Sequence, residues 1–281
     1  AQLAGDKPFF LATGFLRPHL PFTAPKRYWD LYRREDIPLP DPKRPARHAS
    51  MAFTNSGELR TYTDIPDVGP IDETSTRELI HGYYAAVSYM DAQVGRLLDE
   101  LDRLKFSKRT IVILWGDHGW KLGEYSEWCK HTNFEYDTRA PVVMRVPGLK
   151  GGIKCDALTE FVDVYPTLAE LCKLPVPKHC EGLSMVPLLS DPGRAWKKAA
   201  FSQYPRGKTI MGYSIRTSSW RYTEWHNTAK KTILERELYD QSQGPFVRAN
   251  VVDRPENVAL VKELADMLKA GWRGALPAPR A

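Results

Sequence analysis

The feature that most constrains this chain is the run Thr110-Ile111-Val112-Ile113-Leu114-Trp115, followed at once by Gly116-Asp117-His118-Gly119. A short, unbroken apolar and β-branched run, with charged residues before it and glycine after, predicts a strand buried on both faces. Such strands belong to open α/β sheets, where ligands sit just beyond the carboxyl ends of the strands. A carboxylate and an imidazole are thereby delivered side by side to the edge at which these folds keep their sites. Asp117 is a hard oxygen donor suited to Ca²⁺ or Mg²⁺, and His118 can ligate a metal or donate a hydrogen bond. The flanking glycines let the backbone bend sharply and approach a ligand closely. The same four residues also suit an ordinary turn with Asp117 capping a helix, and spacing alone does not choose.

A chain of 281 residues, 42% hydrophobic, can bury a substantial core, enough for one large domain or one and a half. The net charge of +6 is spread along the chain without a block of like charges. It suits anionic substrates rather than acidic partners. No basic, aromatic-interleaved module points to nucleic acid, and no apolar run is long enough for a transmembrane helix. The N-terminus lacks a secretory signal pattern. It opens on Ala1 and reaches an apolar run almost at once, which suggests a chain that starts mid-protein. The four cysteines, Cys129, Cys155, Cys172 and Cys180, form no Cys-x-x-Cys, which argues against a zinc cage. Cys172 and Cys180 can pair in an oxidising compartment; small buried hydrophobes is the expected role for most of the four.

Taken in order, Phe9 to Phe15 reads as a strand. It runs into Leu16-Arg17-Pro18-His19-Leu20-Pro21-Phe22, where two prolines hold the backbone extended and aim His19 from a stiff loop. A short helix over 24–32 follows, then an irregular, Pro-, Asp- and Arg-rich excursion over 36–72. Ser75-Thr76-Arg77-Glu78 has the form of a capping box. It opens a long amphipathic helix to about Phe106, with an apolar stripe through Leu79, Tyr83, Val87, Met90, Val94, Leu97, Leu98, Leu101 and Leu104. The helix feeds into the strand at Thr110, a return typical of parallel sheets. Thr138–Gly148 and Cys155–Phe161 read as further strands, and Asp163 as the N-cap of a helix with Leu168, Leu171 and Leu174. A boundary near Ser190-Asp191-Pro192-Gly193 divides residues 1–190 from 191–281. Beyond it, 199–204, 212–217, 220–225 and 237–240 alternate as antiparallel strands, and one helix spans about 255–272.

Asp117-His118-Gly119-Trp120, with Leu122-Gly123-Glu124 and Glu127-Trp128-Cys129-Lys130 behind it, resembles the sulfatase family, and within it the iduronate-2-sulfatase branch. The Arg17-Pro18-His19-Leu20-Pro21-Phe22 loop, Val162-Asp163-Val164-Tyr165-Pro166-Thr167-Leu168, Ser202–Arg206 and Met211–Thr217 extend the resemblance over nearly the whole chain. It implies an α/β fold, an alkaline-phosphatase-like mixed sheet between helices and present only in part, plus a small C-terminal subdomain of antiparallel strands and one helix. It implies Asp117 and His118 as ligands of Ca²⁺. His19 would contact the sulfate and the leaving-group oxygen, with Arg17 where lysine is common, and Lys130 would bind the sulfate. The 202–206 and 211–217 loops would reach the sugar. The expected partner is a sulfated sugar of the glycosaminoglycan type, and the expected location is periplasmic, secreted or lysosomal.

The family also makes formylglycine from cysteine in Cys-x-Pro/Ala-x-Arg. No cysteine here fits: Cys155 has Ala157 at +2 but Thr159 at +4. The expectation is an incomplete enzyme whose N-terminal segment carries the nucleophile and the paired aspartates. Two other readings stay open: a phosphatase or phosphodiesterase of the same superfamily, and a non-catalytic module binding sulfated polysaccharide through a basic surface.

Overall fold

The computed structural model describes residues 7–277, and Ala1 lies outside them. Contacts divide the chain into two compact units, one from Ala1–Pro40 with Gly69–Lys108, the other from Asp41–Val68 with Arg109–Ala281.

The first unit is a long helix with a loop laid on it. After the short helix α1 (Lys26–Trp29), helix α2 runs from Glu73 to Arg103. Its N-cap is Asp72, which accepts from the Ser75 backbone N–H at 3.0 Å and from the Ser75 hydroxyl at 2.7 Å. The expected capping box at Ser75 is therefore displaced by one turn, because aspartate caps as well as serine and stands earlier. The helix buries Thr76, Ile80, His81, Gly82, Ala85 and Ala86. Around these, His81 Nε2 bonds the Trp29 carbonyl at 2.8 Å and Tyr32 Oη meets Ser88 Oγ at 2.6 Å. His81 is thus a packed core histidine. Phe9–Phe15, expected as a strand, has no ladder among the described residues, and Phe10 stands 84% exposed.

In the second unit, strand β1 (Val112–Trp115) is followed by the hairpin of β2 (Lys121–Leu122) and β3 (Trp128–Cys129), helix α3 (Glu135–Thr138) and strand β4 (Val142–Arg145). β1 pairs with β4 antiparallel, Val112 opposite Arg145 and Trp115 opposite Val142, so the expected parallel return is not seen. Nor is β1 buried on both faces. Ile113 and Met144 pack against the cluster of Val164, Met185 and Leu188, while Leu114, Trp115 and Val143 face outward.

Cys155–Phe161, expected as a strand, carries none. Helices α4 (Val164–Leu171) and α5 (Val186–Ser190) follow. Asp163 caps nothing at the start of α4; its buried carboxylate accepts from Glu160 N at 2.8 Å, Leu183 N at 2.7 Å and Lys197 Nζ at 2.6 Å. All four cysteines are free, and only Cys129 is buried. Cys172 and Cys180 are not paired here, and most of the four do not serve as core hydrophobes.

Strands β5 (Ala200–Arg206), β6 (Ile210–Arg216), β7 (Trp220–Asn227) and β8 (Thr232–Asp240) form one antiparallel meander, close to the sequence expectation. Their alternation divides two faces. Ile215, Tyr222 and Leu238 pack with Leu264 of helix α6 (Val258–Ala270). Trp225 and Tyr239 pack with Phe53, Tyr125 and Phe134. The second face thus supports the segment that leaves the β2–β3 hairpin. At Gly212 a methyl group would lie 2.7 Å from the Trp225 ring and 2.9 Å from Asn133 Nδ2, so only glycine lets β6 and the 133 loop meet. Among the described residues no helix is long and apolar enough to cross a membrane.

Candidate active site

Strand β1 ends at Trp115, and the turn after it is pinned by two backbone bonds, Gly116 N to Pro141 O at 3.1 Å and Gly119 N to Asp137 O at 2.8 Å. The turn lies directly on α3. A Cβ at position 119 would collide with the Tyr136 carbonyl and sit 2.9 Å from that of Arg139. Backbone cannot retreat as a side chain can, so Gly119→Ala is expected to cost about 3 kcal/mol, the upper end for overpacking, with the loss read by urea denaturation of the variant.

The turn presents Asp117 almost fully to solvent, its side chain 85% exposed, with Oδ2 3.4 Å from His118 Nε2. His118 Nδ1 lies 2.8 Å from the Gly119 carbonyl. A carbonyl only accepts, so Nδ1 donates in this bond, and Nε2 is the ring nitrogen on the Asp117 side. That is the arrangement by which a backbone carbonyl orients a metal-binding imidazole. These two donors alone fall short of the six to eight ligands that Ca²⁺ takes. Among the described residues no group of three or more His, Cys, Asp or Glu is arranged to hold a metal.

Trp120 joins this pair to Lys130. Its ring stacks on His118 at 5.9 Å, and Lys130 Nζ lies 4.8 Å from its centroid. Lys130 Nζ is also 2.8 Å from both carboxylate oxygens of Glu58. The hairpin that delivers it is conformationally forced: Gly123, Tyr125, Ser126, Cys129 and His131 all have positive φ. Such a run persists only where the surroundings over-determine it. Buried Lys121 supplies the first restraint, its ammonium 2.6 and 2.5 Å from the two oxygens of Asp137. Asp137 in turn accepts from Thr132 N at 2.8 Å. Tyr125, with Phe246 stacked on it at 4.8 Å, accepts from Val247 N at 2.7 Å. Arg206 supplies a third restraint from β5, donating to the carbonyls of Met51 (2.8 Å), Ala52 (3.2 Å) and His131 (2.9 Å).

Burial dominates the electrostatics here. It pushes the Cys129 thiol up to about 12, which leaves almost no thiolate at neutral pH and argues against nucleophilic use. Burial also raises the Glu127 carboxyl, against the pull of Lys121. The His131 imidazole is lowered, first by burial and then by the Lys130 ammonium. It faces the Tyr204 ring at 5.6 Å, so the 202–206 strand does approach the Lys130 region.

His118 and Lys130 therefore meet at one indole in the second unit, with Asp117 beside His118. Arg17 and His19 lie on one turn of the first. His19 N bonds Leu16 O at 3.0 Å, closing a turn in place of the extended loop that the prolines suggested; the Arg17–Pro18 and Leu20–Pro21 peptides are cis. Arg17 donates to Thr23 O at 2.9 Å, Thr23 Oγ1 at 2.5 Å and His19 O at 3.2 Å, and His19 Nδ1 to Leu20 O at 3.0 Å. Read from the sequence, Glu58 and Lys121 have no individual role, and Arg206 is placed only within the 202–206 segment expected to reach the sugar. Glu58 sits in an aperiodic excursion, and a lysine after Gly-Trp ordinarily reads as surface.

Comparison with known proteins gives the same picture. The Sulfatase family model matches residues 1–174, and that for the C-terminal region of N-sulphoglucosamine sulphohydrolase matches 123–272. Iduronate 2-sulfatase of Mus musculus is 33% identical over 92% of this chain and 60% of its own length. A protein solved with its substrate D-glucosamine-2-N,6-O-disulfate is 26% identical, with a TM-score of 0.66 over 78% of this chain and 45% of its own. A phosphonate monoester hydrolase from Silicibacter pomeroyi superposes with a TM-score of 0.80 over 99% of this chain and 58% of its own, at 23% identity, a likeness of fold alone. The chain thus spans about half the length of the proteins it matches. The fold is the α/β, alkaline-phosphatase-like one, present in part. A match running through the strand, the turn, the hairpin and the supporting sheet shows the family as well as the fold: this chain belongs to the sulfatases.

Proposed function

We propose that this chain is the later part of an enzyme that hydrolyses sulfate esters on a sulfated, glycosaminoglycan-type sugar, with residues 1–190 in its α/β catalytic domain and 191–281 as its C-terminal subdomain. One observation carries the reading: the Lys130 ammonium and the His118 imidazole, with Asp117 beside it, meet at the Trp120 indole, in a loop held by buried restraints. Hydrolysis of a sulfate ester moves negative charge onto the bridging oxygen and the transferring group. A positioned ammonium opposes that charge without reorganising, and Lys130 takes this role. His19 is assigned the proton for the leaving oxygen, with Arg17 beside it as a substrate-binding cation.

Asp117 and His118 are assigned as part of a divalent-metal site, Ca²⁺ by family resemblance, whose other ligands lie outside this chain. Two donors do not by themselves make that site. The nucleophile, formylglycine by the same resemblance, is likewise assigned to the portion of the relatives that this chain does not span. None of its four cysteines has the needed neighbours.

The test is turnover by the matured protein of a sulfated monosaccharide and of the matching phosphate and phosphonate monoesters. Release of inorganic sulfate with a clear preference for the sulfate ester is expected. Preference for the phosphorus esters would assign the protein to the superfamily's phosphatase branch, and binding of sulfated polysaccharide without turnover would make it a binding module.

A further inference from the structure

Lys130 is held by a residue far from it in sequence. Glu58 lies 72 positions away, yet both its oxygens stand 2.8 Å from Lys130 Nζ. The pair is mostly shielded, 15% and 26% exposed. Lysine carries a flexible four-carbon stem, and ordering it costs up to about 2 kcal/mol of rotamer entropy. A lysine that must act on a transferring group gains if that cost is met before the substrate arrives.

We propose that Glu58 is the positioning residue for Lys130. It orients the ammonium from behind, against the Trp120 face, and does not itself touch the substrate. A lysine that binds phosphate oxygens and is held by a glutamate recurs in protein kinases, there on the non-transferring phosphates.

The surroundings are built for it. Ser56 Oγ accepts from Trp128 N at 2.9 Å, tying the Glu58 loop to the strand that leads into Lys130. Arg206 binds Met51 and Ala52 at the start of that loop and His131 just after Lys130, so one guanidinium braces both sides of the ion pair. His131 Nε2 lies 4.0 Å from the second Glu58 oxygen.

Glu58 has this role only if Lys130 binds sulfate, so the experiment reads both. In the matured protein, kcat and KM on a sulfated monosaccharide and the inhibition constant of inorganic sulfate are measured for the parent, Glu58→Gln and Glu58→Asp. Glu58→Gln keeps the shape and removes the charge. It is expected to bind sulfate about tenfold more weakly and to lose roughly 10- to 100-fold in kcat/KM, the scale of a misplaced catalytic group. Glu58→Asp, charged but one methylene short, is expected between it and the parent. A merely structural glutamate would give no such recovery.

Sulfate bound as tightly or more tightly by Glu58→Gln would make Glu58 a competing anion and overturn the assignment. If Glu58→Gln does not fold, Glu58→Asp decides in the same way: weaker sulfate binding supports, unchanged binding overturns. An active parent with unaffected variants overturns the positioning role alone. A parent that neither binds sulfate nor turns over the ester overturns the sulfatase reading with it.

Discussion

Lys130→Ala is expected to lower kcat/KM on a sulfated sugar by about 10²- to 10³-fold, the range for removing one preorganised charge-stabilising donor. The loss should fall on both KM and kcat, because the ammonium binds a sulfate already charged in the ground state and opposes the further charge of the transition state. The partner left behind, Glu58, is only 26% exposed, so the stability cost is that of unpairing a mostly shielded group, about 1–3 kcal/mol. Lys130→Arg separates charge from shape. A planar guanidinium cannot reproduce a compact ammonium lodged between a carboxylate and an indole, so it should recover only part of the activity. Steady-state kinetics on the three proteins, with thermal melts, check this. A Lys130→Ala variant within threefold of the parent would remove Lys130 from the chemistry.

Asp137→Ala is expected to cost about 3–5 kcal/mol, the penalty for stranding one member of a buried ion pair. Lys121 is fully buried, and its ammonium lies 2.6 and 2.5 Å from the Asp137 oxygens. Removing Asp137 leaves that charge with Glu127 at 3.5 Å, a carboxyl whose burial already disfavours ionisation. It also unpairs the Thr132 backbone N–H. Against a total stability of about 5–15 kcal/mol the change is large. Urea unfolding of the single variant and of Lys121→Met/Asp137→Leu checks it. The double variant removes both charges and should recover much of the loss. A single variant that loses under about 1 kcal/mol would show that the pair does not hold the hairpin.

The C-terminal meander was legible because its alternation is strong. Tyr222 and Trp225 fall on opposite faces of β7, and each face has its own core to fill. The long helix was legible from its stripe, although the residues it buries are Thr76, Ile80, His81, Gly82, Ala85 and Ala86, none of them in the expected stripe. Strand β1 was found where its apolar run lies, but burial of both faces could not be read from it. Leu114 and Trp115 are apolar and still exposed.

What could be read from neighbouring residues is the grouping of His118 and Lys130 about the Trp120 ring, with Asp117 beside His118; their roles in a site remain a proposal. The arrangement was not legible where residues meet only through the fold. Glu58 and Lys130 are 72 positions apart, and Arg206 reaches carbonyls more than 150 positions earlier. Lys121 and Asp137 look like surface charges until packing encloses both.

The central claim is that a sulfate group is received at Lys130 beside the Trp120 indole. A crystal structure of the matured protein with inorganic sulfate tests it most directly. The prediction is a sulfate oxygen within about 3 Å of Lys130 Nζ, the distance of a charge-assisted hydrogen bond, with Glu58 still on the ammonium. Sulfate bound elsewhere, with nothing at Lys130 but Glu58, would contradict it.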